Sequence, residues 1–162
     1  MSVKEFQPKL SVLLTNYNHA QFLPEALDSV LNQTHLPDEF IIFDDGSTDN
    51  SPEILQEHAN KYPVIKLTLF KENLGCNEMT SRLAEAATGR YVHFLASDDF
   101  LENQFYEKTI EQLEKYPKAA LASTLCRAVN KKGQDLGFIK TPTVSLKPAY
   151  LSPSEVRAKL QD

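Results

Sequence analysis

The sequence predicts an α/β sandwich with a mainly parallel sheet flanked by helices, and three observations carry that prediction. Short apolar, β-rich runs alternate with amphipathic stretches in the order strand, helix, strand, helix, strand, helix, strand. The first two runs are nearly continuous in apolar character, as suits strands buried on both faces. The first, second and fourth runs each end in a polar cluster, which marks one edge of the sheet as a place for chemistry.

Leu10-Ser-Val-Leu-Leu-Thr15 is the first strand, and it ends in Asn16-Tyr-Asn-His19. Phe22, Leu23, Ala26, Leu27, Val30 and Leu31 then share one helix face, with Pro24 in the first turn, where a missing N–H costs little. Phe40-Ile-Ile-Phe43 is the second strand and runs into Asp44-Asp-Gly-Ser-Thr-Asp49. Ser51 reads as the N-cap, and Pro52 as the first position, of a helix reaching about Lys61. Residues 64–70 alternate as a third strand. Asn73-Leu-Gly75 is a turn, and a helix from about Asn77 to Ala87 ends at Gly89, read as a C-cap.

Tyr91-Val-His-Phe-Leu-Ala96 is the fourth strand and leads into Ser97-Asp98-Asp99. Glu102 to Tyr116 forms an amphipathic helix stopped by Pro117. Ala119 to Val129 reads as a fifth strand, turned by Lys131-Lys-Gly133 toward a return strand at Leu136 to Ile139. Beyond Lys140 the chain is Pro- and Ser-rich, and Ser154 to Gln161 hints at a further helix. The expected division is therefore a ligand-binding subdomain over residues 1–140 and the start of a second region over 141–162.

A formal net charge of −5 argues against a nucleic-acid partner, which would call for a basic face. No apolar run approaches the length of a membrane span, and residues 1–8 lack the apolar stretch of a signal peptide. Cys76 and Cys126 form no CxxC pair, so a reducing compartment is expected. The location expected is cytoplasmic, peripheral to the inner face of a membrane where a membrane-linked partner is involved.

Ligands of open parallel sheets bind at the carboxyl ends of the strands. Three of those ends carry Thr15-Asn-Tyr17, Asp44-Asp45 and Ser97-Asp98-Asp99. Each alone has a plain explanation: Asp-Gly-Ser-Thr-Asp is turn chemistry, and Asp98-Asp99 would suit a helix N-terminus. Their joint occurrence at successive strand ends points instead to a shared site. Paired carboxylates raise each other's pKa unless a cation lies between them. Oxygen donors suit Mg²⁺ or Mn²⁺, which complete their shells with water and substrate phosphates.

Ser11-Val-Leu-Leu-Thr-Asn-Tyr-Asn18, Phe43-Asp-Asp-Gly-Ser-Thr-Asp49, Asn73-Leu-Gly75 with Thr88-Gly-Arg-Tyr-Val92, and Leu95-Ala-Ser-Asp-Asp99 together resemble family 2 glycosyltransferases of the GT-A fold. The resemblance runs from about Leu10 to Leu101. It implies inverting transfer of a sugar from a nucleotide diphosphate, with uracil as the base, to a hydroxyl acceptor on a glycan or lipid-linked chain. It places Thr15 and Tyr17 in the base pocket, with Asn16 between them in the nucleotide site and the Tyr17 ring packed on the base. Asp45 would accept a hydrogen bond from the base, with Asp44 beside it.

Ser97-Asp98-Asp99 matches the family's Asp-x-Asp-type motif, in which Asp99 binds Mn²⁺ or Mg²⁺ and Asp98 contacts the ribose or a metal-bound water. Arg82 lies in the helix lining the donor pocket, where a solvated helix-face charge is the equal alternative. Thr80 and Ser81 stand where relatives often carry Arg and Asn. The family's general base, an Asp or Glu in a Glu-Asp-like pair, has no counterpart among Glu102, Glu107, Glu111, Glu114, Asp135, Glu155 and Asp162. The expectation is a chain ending after the donor half, and the alternative function is donor and metal binding without turnover. A receiver domain would need its acidic pair after the first strand, and a dinucleotide oxidoreductase would need GxGxxG there. His93 reads as a hydrogen-bonded core histidine, His19 as a loop surface residue with an approach to the diphosphate as its alternative, and Cys76 as a structural or incidental thiol.

Overall fold

A computed structural model describes residues 9–130, 132–139, 150–152 and 154–155. The chain divides into two compact units, through Tyr106 and from Glu107 onward. In the first unit β1 (Leu10–Asn16), β2 (Glu39–Asp44), β3 (Ile65–Leu69) and β4 (Tyr91–Ala96) form one sheet in the order β3-β2-β1-β4. Every pairing in it is parallel. The predicted α/β architecture is therefore the observed one.

β1 is central because its side chains are apolar on both faces. Leu13 packs with Ile41 and Phe43 under Leu83 and Ala87, contributed by α3 (Cys76–Ala86) and the residue after it. Val12, Leu14, Phe40 and Ile42 point to the opposite face by the two-residue alternation of strands. They are completely buried, as are Leu23, Leu27 and Val30 of α1 (Leu23–Leu31) and Leu55 of α2 (Ser51–Lys61).

The amino-terminal edge of the sheet is held by one buried acid. Glu39 is 4% exposed and accepts hydrogen bonds from Ser11 Oγ at 2.5 Å, Thr88 N at 2.8 Å and Thr88 Oγ1 at 3.0 Å. Lys66 Nζ completes the set at 2.5 Å. Burial alone would raise the Glu39 pKa, but the bonds from Lys66, Ser11 and Thr88 outweigh it and hold the carboxyl at about 2.

Several local expectations shift. The α2 N-cap is Asn50 rather than Ser51, and Asp49 Oδ1 accepts the Ser51 amide at 2.9 Å. Gly89 is not a left-handed cap, since α3 ends in extended backbone at Ala87. A Cβ on Gly89 would instead lie 2.6 Å from Ser11 Oγ and 2.8 Å from Lys9 O, so glycine is required for close approach to β1.

α4 (Phe105–Lys115) starts later than predicted. In the second unit, the run from Ala119 yields strand only at β5 (Arg127–Val129). β5 pairs antiparallel with β6 (Asp135–Phe138) as a separate hairpin. Ser154 and Glu155 are helical, and the rest of the helix expected to Gln161 lies outside the described residues.

Candidate functional site

The strand ends named by the sequence are level with one another. Asn16 pairs in register with Asp44, and Thr15 with Ala96, so the loops after β1, β2 and β4 leave the sheet side by side. The strand order reverses at β1, which makes the β1–β4 crevice the switch point where open α/β sheets hold ligands.

The loops after β1 and β2 are laced together. Asn16 Nδ2 donates to Asp44 Oδ2 at 2.7 Å and to Ser47 Oγ at 3.2 Å. Asp44 also accepts from Ser47 Oγ at 2.7 Å and from the Ser47 amide at 3.0 Å. Asp44 is thus the builder of the turn, fully engaged and buried. Asn18 stands at φ 55, a left-handed conformation that asparagine tolerates better than most residues. Its Oδ1 accepts from the Thr48 amide at 2.8 Å, and its own amide donates to Ser47 Oγ at 2.9 Å. The backbone on either side of Tyr17 is therefore fixed while its ring remains 45% exposed.

Asn16 Oδ1 is buried and has no partner among the described residues. Exchanging the amide atoms would set that oxygen against the Asp44 carboxylate, so the free acceptor is a consequence of the network.

Asp45 works in the other direction. Its two oxygens accept the amides of Leu74 at 2.7 Å and Gly75 at 2.9 Å, which ties the end of β2 to the loop before α3. Gly46, at φ +72, makes the approach feasible, because a Cβ there would lie 2.7 Å from Glu72 C. Each carboxylate oxygen keeps a lone pair for a further donor.

At the end of β4, Ser97 is buried while Asp98 and Asp99 are exposed in the turn that follows. Burial, and then the neighbouring Asp98 charge, push the Asp99 pKa up. Neither carboxylate has a hydrogen-bonded or ionic partner among the described residues. Ser97 is joined across the crevice to His19, whose Nδ1 lies 2.8 Å from Ser97 Oγ.

Of the residues named from sequence, Thr15, Asn16, Tyr17, Asp44, Asp45, Ser97, Asp98 and Asp99 all stand at the carboxyl edge of the sheet. Arg82 is exposed on α3, bonded through Nε to Glu78 at 2.7 Å and lying over the ring of Phe70, whose amide donates to Asp44 O at 2.9 Å. His93 is hydrogen-bonded as expected but half-buried rather than enclosed in the core, since β4 is exposed on the face of Val92 and Phe94. It meets the Tyr106 hydroxyl at 3.2 Å, packs against Phe105, and is held neutral by burial, which lowers its pKa to about 4. Sequence gives Asn18 and Ser47 no role of their own in the site, and His19 only the alternative of approaching the diphosphate, although an Asn directly after the Tyr17 position is a visible signal for a left-handed turn.

No group of three or more His, Cys, Asp or Glu side chains gathers as a metal cage among the described residues. Two adjacent, unpaired carboxylates suit a hard divalent ion that draws its remaining ligands from phosphates and water.

The family model of Glycosyl transferase family 2 matches residues 11–142. A putative teichuronic acid biosynthesis glycosyltransferase of Bacillus subtilis, TuaG, is 37% identical over 65% of this chain and 42% of its own length. A chondroitin synthase of Escherichia coli is 32% identical over 78% of this chain and 18% of its own length. The chain spans less than half the length of these curated relatives. Among solved structures, S. aureus TarS 1-349 in complex with UDP superposes with a TM-score of 0.61 at 26% identity, over 67% of this chain and 33% of that one. The parallel sheet, its laced carboxyl edge and these matches agree: the chain belongs to glycosyl transferase family 2 and has the GT-A fold.

Proposed function

We propose that this chain is the donor-binding part of an inverting, hexosyl-type glycosyltransferase that moves a sugar from a UDP-linked donor to a hydroxyl of a glycan or lipid-linked acceptor. The observation that carries the proposal is the crevice at β1, where an exposed Tyr17 ring on a fixed backbone and the unpaired Asp98–Asp99 carboxylates occupy adjoining loops. A flat ring and a charged end are the two features of a nucleoside diphosphate. S. aureus TarS, similar in fold and 26% identical, holds UDP and UDP-GlcNAc, which supports uracil as the base.

In this reading the Tyr17 ring packs on the base. Asp45, already oriented by Leu74 and Gly75, takes the base N–H on a remaining lone pair. Thr15, half-buried at the end of β1, serves polar groups entering beside the base, and Asn16 lies beneath them bonded to Asp44. Asp98 turns toward the ribose or a metal-bound water, and Asp99 would hold Mn²⁺ or Mg²⁺. When bound, that ion offsets the negative charge growing on the departing diphosphate. Ser97 keeps the turn seated, and Arg82 is a donor-pocket residue only if its pair with Glu78 opens.

A second reading is donor and metal binding without turnover, and one set of observations favours it. Direct displacement needs a base within reach of the acceptor hydroxyl. Among the described residues, Glu102, Glu107, Glu111 and Glu114 are exposed, Asp135 is bonded to Arg127, and Glu155 caps Ser152. Calorimetric titration of UDP with and without Mn²⁺, into the native chain and Asp99→Ala, tests the site. Metal-dependent binding lost on substitution is the expected result. Equal binding by both proteins would refute the assignment of Asp99.

A further inference from the structure

We propose that His19 is a positioning residue that couples the nucleotide-base loop to the metal motif through its hydrogen bond with Ser97. This rests on the donor-site reading above and deepens it.

The two residues are 78 positions apart in sequence, yet Nδ1 and Oγ meet at 2.8 Å. Their elements border the same crevice: His19 follows β1 and Ser97 follows β4. Ser97 is 3% exposed, so the bond is shielded from competing water. Either tautomer makes it, since a hydroxyl both donates and accepts.

His19 is itself firmly held. Its carbonyl accepts the amides of Phe22 at 2.9 Å and Leu23 at 3.2 Å, which starts α1, and its ring meets Phe22 edge-on. On the other side, Asn18 ties the same loop to Thr48 and Asp49. Tyr17 therefore belongs to a segment anchored at one end to the loop after β2 and at the other to the motif carrying Asp98 and Asp99. The Asp99 amide closes the motif's turn on Ala96 O at 3.1 Å, so a shift of Ser97 moves both carboxylates.

The consequence is a coupling between sites. A ligand that seats the Tyr17 loop also seats the carboxylate turn, so nucleotide and metal each raise the affinity for the other. The role of His19 is to transmit position between the two loops.

The test is a set of UDP titrations with and without Mn²⁺ on the native chain, His19→Ala, His19→Asn, Ser97→Ala and the double variant His19→Ala/Ser97→Ala. The readout is the factor by which Mn²⁺ strengthens UDP binding. That factor should fall about tenfold in His19→Ala and in Ser97→Ala, and no further in the double variant. His19→Asn, which sets an amide atom near the place of Nδ1, should restore most of it. Thermal melting of each variant reports folding. If His19→Ala fails to fold, the Ser97→Ala and His19→Asn pair decides the matter. An unchanged factor in Ser97→Ala, or additive losses in the double variant, would overturn the coupling. A native chain that binds UDP without regard to Mn²⁺ would instead refute the donor-site reading itself.

Discussion

Replacing Glu39 by Gln should destabilise the protein at neutral pH and flatten its response to acid. The carboxyl sits at about 2 in the folded protein against an ordinary 4.5. At about 1.4 kcal/mol for each pH unit, that difference is worth roughly 3 kcal/mol to the folded state. Lys66 is 60% exposed, so solvent screens its part, and about 2 kcal/mol is the better expectation. Because folding lowers this pKa, the unfolded chain binds more protons in the acid range. The contribution is complete above about pH 5 and is lost as the pH falls through 4.5 toward 2.

Gln keeps the side chain's size but loses the charge, and turns one acceptor into a donor facing Ser11, Thr88 or Lys66. Urea unfolding of both proteins at pH 7, 4.5 and 3 measures the effect. The native chain should lose stability on acidification, and the variant should be weaker at pH 7 with a shallower decline. Equal stability at pH 7 with parallel declines would refute the reasoning.

Other substitutions separate binding from folding. Tyr17→Ala should weaken UDP binding by about tenfold through lost base stacking, with little change in melting temperature because the ring is exposed, and calorimetry beside a thermal melt checks both. Gly89→Ala should cost roughly 1–3 kcal/mol in urea unfolding, since its Cβ meets the backbone of Lys9 and Ser11. Acidification from pH 7 to 5 should leave the imidazole of His93 neutral, so its NMR ring shifts should not titrate there.

The legible parts of this fold were those fixed by local pattern. β1 and β2 are visible because Val12–Leu14 and Phe40–Phe43 are apolar on successive positions, which a strand buried on both faces requires. Sequence alone places the cap at Ser51, one position late, because Asp49, Asn50 and Ser51 all have capping chemistry. Ala119–Val129 had strand composition, yet strand formation needs a neighbour, and only Arg127–Val129 has one. Gly89 was read as a local cap when its reason is Ser11, 78 residues away.

The site divides the same way. The polar clusters at the strand ends were visible, but the division of labour inside Asp44-Asp45 was not. Asp44 serves Asn16 and Ser47, and Asp45 serves Leu74 and Gly75, through bonds largely made across 28 to 30 residues. The His19–Ser97 bond spans a longer interval still, and neither residue type announces a partner.

The proposed donor site holds one nucleoside diphosphate with one divalent ion across the ends of β1, β2 and β4. Paramagnetic broadening of backbone amide signals by Mn²⁺ in the presence of UDP tests it most directly. Broadening should concentrate at Asp98, Asp99 and the loops bearing Tyr17 and Asp45, and should be lost in Asp99→Ala. Broadening spread along the exposed acids of α4, or unchanged in Asp99→Ala, would contradict it.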